Sequence, residues 1–130
     1  MLLEITIDSN CTELLAYGKS SLIIGCLNGT ICLLDTSKRK LKYLVRTHNA
    51  KILQCVYQPF LKKLLTLSAD NSIKLWNVRT KLEQIYEFRS EENPITKICS
   101  FHHKGEIICG FLNGQVKVFN LDKYTFHSHF

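Results

Sequence analysis

Apolar residues alternate with polar ones or run unbroken over short stretches, and short clusters of Gly, Asn, Asp, Ser and Lys interrupt them. That pattern belongs to strands with one or both faces covered. The stretch LSADNSIKLWNV, Leu67 to Val78, shows the unit most clearly. Leu64 to Ser68 and Ile73 to Val78 flank Asp70-Asn71, residues that accept the left-handed backbone of a tight turn, and an antiparallel hairpin is predicted there. Further strands are predicted over Cys11 to Tyr17, Ile52 to Tyr57 and Thr96 to Phe101, ahead of hairpins. Others follow the hairpins over Lys42 to Arg46, Leu82 to Phe88 and Tyr124 to His129. Residues 2–7 read as a lone leading strand. Leu61 to Leu67 and Val78 to Ile85 have some helical spacing, but each is too short and better explained as strand.

The hairpin occurs three times, as Cys26-Leu-Asn-Gly-Thr-Ile-Cys-Leu-Leu-Asp35, Ser68-Ala-Asp-Asn-Ser-Ile-Lys-Leu-Trp-Asn77 and Phe111-Leu-Asn-Gly-Gln-Val-Lys-Val-Phe-Asn120. Ile31 and Ile73 are 42 positions apart, and Ile73 and Val116 are 43 apart. A repeat of roughly 40 to 45 residues is that of a four-stranded propeller blade, which buries its faces only by stacking on its copies. The expected fold is all-β: a partial β-propeller of three four-stranded antiparallel blades over 11–46, 48–88 and 95–130. Residues 2–7 are expected to be strand d of a preceding or closing blade. Propellers close with roughly four to eight blades. The missing ones are expected from the same, longer chain or from a partner.

The middle unit resembles a WD repeat. Thr47-His48 stands where that family has Gly-His, Ile52, Cys55, Tyr57 and Pro59 follow, and Trp76-Asn77 replaces Trp-Asp. The resemblance implies a hydrogen-bonded set in which His48 bridges Asp70 and Ser68, and Ser68 reaches the indole of Trp76. The corresponding residues are Asn28, Cys26 and Leu34 in the first unit and Asn113, Phe111 and Phe119 in the third, with Glu91 near the histidine position. Apolar packing is expected to hold those two blades. A narrower resemblance lies in 82–121, which is similar to the family of long centriolar and ciliary basal-body WD-repeat proteins with tandem propellers behind a microtubule-associated module. It implies a cytoskeletal scaffold at a centriole, basal body or cilium, with tubulin or other ciliary proteins as partners.

Composition narrows the chemistry. With 45% apolar and 22% charged residues the chain can fill a core. Its apolar runs fall short of the roughly 18 residues of a membrane helix. The first residues lack the positive region of a signal peptide, so an intracellular protein with no membrane partner is expected. Cys11, Cys26, Cys32, Cys55, Cys99 and Cys109 lie in strand-like stretches and are expected as buried free thiols. No cysteine pair has zinc-knuckle spacing. His127 and His129 would share a strand face, but no Cys-x-x-Cys completes a site, so neither metal nor cofactor is expected. His48, Ser68 and Asp70 have the residue types of a catalytic triad at the spacing of a blade network, and no enzyme is expected.

Net charge is +6, and alternating strand direction sorts it. The loops at one end of the blades collect Lys19, Lys38, Arg39, Lys40, Lys62, Lys63, Arg79, Lys81, Lys104 and Lys123, ten of the 17 Lys and Arg. The opposite end carries Asn10, Asn28, Asn49, Asp70, Glu91, Glu92 and Asn113. A basic end attracts a polyanion. Acidic tubulin tails suit it. RNA, as in a propeller subunit of a ribonucleoprotein assembly complex, suits it less, because the loops carry few aromatics, with Tyr43 and Phe60 nearest. A ubiquitin-ligase or signalling adaptor would need specific residues at the opposite end, where Asn and Glu are generic.

Overall fold

The computed structural model describes residues 4–79, 81–101 and 104–126. Blade 1 is built from β1 (Cys11–Tyr17), β2 (Ser21–Cys26), β3 (Thr30–Asp35) and β4 (Lys40–Arg46). Blade 2 has β5 (Ile52–Gln58), β6 (Lys63–Ser68), β7 (Ser72–Asn77) and β8 (Glu83–Arg89). Blade 3 has β9 (Ile95–Ser100), β10 (Glu106–Phe111), β11 (Val116–Asn120) and β12 (Thr125–Phe126). In every sheet the strands pair antiparallel in chain order. The fourth strand of blade 3, expected over 124–129, is described only as far as Phe126, and His102, His103, His127 and His129 lie outside the described residues.

Alternation assigns each strand's residues to two neighbours. On β6, Leu64 packs toward blade 1 with Ile23, Ile31, Leu33 and Ile52, while Leu65 and Leu67 pack toward blade 3 with Ile98, Ile107 and Phe119. This is why the middle strands of a blade read as nearly unbroken apolar runs. The first strands, β1, β5 and β9, run side by side and are stitched by side chains. Thr12 donates to the Ile52 carbonyl (2.6 Å), and Glu13 accepts from the Cys55 amide (3.4 Å). At the next junction Gln54 occupies the position of Glu13 and does more. Its carbonyl accepts from the Ile98 amide (2.8 Å) and its Nε2 donates to the Ile98 carbonyl (2.7 Å). Fully buried Gln58 donates to the carbonyls of Phe101 and Lys104 and accepts from the Leu61 amide.

Residues 4–10 pair with no strand among the described residues, and a strand d at 2–7 would pair with a blade outside this chain. Asn10 accepts from the Leu27 amide (2.8 Å), as Lys51 does from Ala69 (2.9 Å) and Pro94 from Leu112 (2.9 Å), so residues 6–10 are the connection into blade 1. Counting back from these three carbonyls puts Ile7 and Glu91 at the position of His48. Ile7 packs on Ile24, Cys26, Cys32 and Leu34, an apolar cluster. One expectation is corrected: only Cys26, Cys32, Cys55 and Cys109 are buried; Cys11 and Cys99 are exposed, though all six are free thiols.

The outer faces of the end blades are partly uncovered. Leu14, Leu41 and Leu44 are about half exposed, opposite Ile24, Leu34 and Cys32 on the side of blade 1 away from blade 2. Val116 is 48% exposed on blade 3.

Candidate structural network and basic interaction surface

The three β-turns between second and third strands are copies in atomic detail. Gly29, Asn71 and Gly114 are left-handed, with φ of 89°, 68° and 89°, and donate back to Cys26, Ser68 and Phe111 (3.1, 3.1 and 3.0 Å). The residue before each, Asn28, Asp70 or Asn113, accepts through Oδ1 from the amide two residues on, at 3.0 Å in all three. A short polar side chain that bonds its own backbone fixes this turn.

In blade 2 the turn also anchors a buried chain of hydrogen bonds. The Trp76 indole N–H donates to Thr66 Oγ1 (2.9 Å), Thr66 Oγ1 lies 2.7 Å from His48 Nε2, and His48 Nδ1 lies 3.1 Å from Asp70 Oδ2. Ser72 donates to Asp70 Oδ1 (2.5 Å) and its oxygen is 3.0 Å from His48 Nδ1. His48 is 2% exposed. Burial pulls its pKa below the ordinary 6.5, against the opposing pull of Asp70. The imidazole is therefore neutral at pH 7, and its contact with Asp70 is a hydrogen bond, although its distance is also that of an ion pair. The tautomer that satisfies both nitrogens carries its proton on Nδ1, toward Asp70, and accepts at Nε2 from Thr66. Burial raises the Asp70 pKa, but the Ser72 hydroxyl and His48 outweigh it and hold the carboxyl below the usual range.

Ser68 is not the bridge that the sequence implies. Its hydroxyl donates to the Ala50 carbonyl (3.2 Å) and accepts from the Asp70 amide (3.2 Å). Register explains the difference. Trp76 is directly opposite Leu64, which places Thr66 diagonally within reach. Ser68 is four residues from Leu64, about 13 Å along the strand at roughly 3.3 Å per residue. Thr66 and Ser72 are the members that sequence reasoning missed. The hydroxyls touching His48 are buried, so the set braces a blade and presents no nucleophile. Among the described residues no group of three His, Cys, Asp or Glu is placed to hold a metal ion.

All ten predicted basic residues lie at one end, where the first and second, and the third and fourth, strands of each blade connect. Nine are exposed and Lys63, the first residue of β6, is half-buried. Asx caps shape these loops. Asp35 accepts from the Ser37 hydroxyl (2.7 Å) and the Ser37 and Lys38 amides (3.0 and 3.1 Å), which keeps its carboxyl below the usual range. Asn120 caps Asp122 and Lys123 in the same way (2.9 Å each). Arg39 and Lys62 stand at left-handed corners, with φ of 54° and 56°, and both are exposed. Of the ten, Lys81 alone has a carboxylate within 4.0 Å among the described residues, Glu83 at 3.9 Å.

Residues 39–77 match the family model described as WD domain, G-beta repeat, and they include the whole His48 network. This is a WD-repeat chain. WD repeat-containing protein 90 of Homo sapiens is 30% identical to it over 95 residues, which are 73% of this chain and 5% of that protein; the Xenopus tropicalis protein of that name is 29% identical over 100 residues. The chain thus spans about one twentieth of these relatives. Among solved structures, the RRP9 WD40 repeats superimpose with a TM-score of 0.84 at 13% identity, over 95% of this chain and 39% of that one. The Cps50 (Swd1) β-propeller domain of Myceliophteria thermophila gives 0.82 at 12% identity, over 92% and 40%. The fold is that of WD-type propeller blades.

Proposed function

We propose that this chain is a non-enzymatic scaffold segment of a microtubule-associated protein of centrioles, basal bodies or cilia, and that its basic end contacts the acidic surface of tubulin. The observation that carries the reading is the segregation of ten cations to one end of three rigid blades. Strands carry no chemistry there; they hold the loops in a fixed spatial pattern that a protein partner can match. The likeness of 82–121 to the centriolar WD-repeat family supports the setting, and the relatives called WD repeat-containing protein 90 suit a long parent chain. In that parent, or in a partner, further blades cover Leu14, Leu41, Leu44 and Val116.

Microtubule co-pelleting tests the reading. Reversing Lys38, Arg39, Lys40, Lys62 and Lys63 to Glu is expected to weaken binding by about tenfold or more, because steered association of this kind responds to local charge. Co-pelleting that survives the reversal unchanged would remove the role assigned to these loops.

A further inference from the structure

The β7–β8 connection departs from its two copies. The β3–β4 and β11–β12 connections have four residues each, 36–39 and 121–124, closed by the Asp35 and Asn120 caps, whereas 78–82 has five. Asn77, at the position of those caps, turns its amide to Glu83 Oε1 (3.5 Å) instead. The longer loop leaves a recess lined by Lys63, Asn77, Arg79, Lys81 and Glu83. Three cations and one amide face a single carboxylate, which is 3.9 Å from Lys81. Among the described residues Lys63 and Arg79 have no carboxylate partner. The recess therefore has positive charge in excess, with two of its three cations unpaired, one of them a guanidinium able to grip two oxygens at once.

We propose that this recess is a carboxylate-binding subsite that seats one acidic side chain of a glutamate- or aspartate-rich protein segment. Arg79 supplies the paired N–H donors, and Lys63 and Lys81 flank the charge. Asn77 at the end of β7 and Glu83 at the start of β8 bound the recess, and a seated carboxylate takes Lys81 from Glu83. None of the lining residues is aromatic, so a base has nothing to stack on and a peptide is favoured over single-stranded RNA. The surrounding loops add attraction along the segment without fixing its register. The inference rests on the reading of the basic end as a contact surface and specifies which residues in it select the partner.

The experiment is fluorescence anisotropy of a labelled oligoglutamate peptide with the chain, with oligoglutamine and a single-stranded RNA oligonucleotide as comparators. Arg79→Glu/Lys81→Glu and Lys38→Glu/Arg39→Glu change net charge equally, and all four residues are exposed. The first pair is expected to weaken oligoglutamate binding by about tenfold or more, the second by less than about threefold, since charge outside the recess acts only through the screened field. Equal losses, equal binding of oligoglutamine, or tighter binding of the RNA would overturn the subsite. Microtubule co-pelleting in parallel separates this from the wider reading. Pelleting without oligoglutamate binding removes the subsite and leaves the function; oligoglutamate binding without pelleting leaves the subsite and removes microtubules as its target.

Discussion

Thr66 joins one donor and one acceptor: the Trp76 indole N–H and His48 Nε2 both end on its hydroxyl. Thr66→Val keeps the shape and strands both groups in the interior, a loss of about 1 to 3 kcal/mol per buried polar group left unpaired. Ser68→Ala removes only contacts near the turn and is expected to cost about 1 kcal/mol. Urea denaturation of the two variants compares them directly; equal costs would mean that the indole does not depend on Thr66. Acid acts on the same residues. The folded pKa of His48 lies below 6.5, so the unfolded chain takes up the proton first. Stability from this group is full above pH 6.5 and is lost as pH falls through the folded value, with Asp70 adding a loss of the same sign at lower pH. The urea midpoint should fall between pH 7.5 and 5.5, and His48→Gln should remove part of that dependence. An identical slope in the variant would contradict the neutral, buried imidazole. The sequence revealed His48, Asp70 and Trp76 by spacing, but Thr66 only becomes identifiable once the β6–β7 register is known.

At the scale of the element, the three hairpins share a turn but differ in what surrounds it. A Cβ on Gly29 would lie 2.0 Å from the His48 carbonyl oxygen, because the connection into blade 2 wraps over that turn and Thr47 donates to Gly29 through both amide and hydroxyl (2.9 Å each). A Cβ on Gly114 would meet nothing within 4 Å. Gly114→Ala therefore carries only left-handed strain, about 1 to 2 kcal/mol. Gly29→Ala adds overpacking and should cost roughly 3 kcal/mol or more. Thermal melts of both variants would decide it; similar shifts would show that the loop over Gly29 moves aside freely. Turns and strands were legible because period and turn chemistry are local. The connection at 6–10 was not, since only the bond from the Leu27 amide to the Asn10 carbonyl marks it as the counterpart of 47–51.

On the scale of the molecule, the two blade junctions are built differently. Between blades 1 and 2 the His48 set is enclosed and Tyr17 stacks on Tyr57, ring centroids 4.3 Å apart. Between blades 2 and 3 an acidic residue takes the histidine's place, and Tyr86 stacks on Tyr124 at 4.1 Å while Phe88 meets Phe119 at 5.4 Å. Charge is segregated to one end of all three blades, so partner binding there should weaken as salt rises, while the apolar junctions do not. The segregation was readable in the sequence because hairpin topology alone dictates which loops share an end. The recess was not, because a single extra residue in one loop has no signature in the repeat. Gln54 gives the second junction one more property. Its side chain takes the place of a neighbouring strand for Ile98, so the Ile98 amide is held by the adjacent blade and not by its own sheet. Deuterium uptake at that amide consequently times the parting of two intact blades, a motion that exchange at the sheet's own amides does not register.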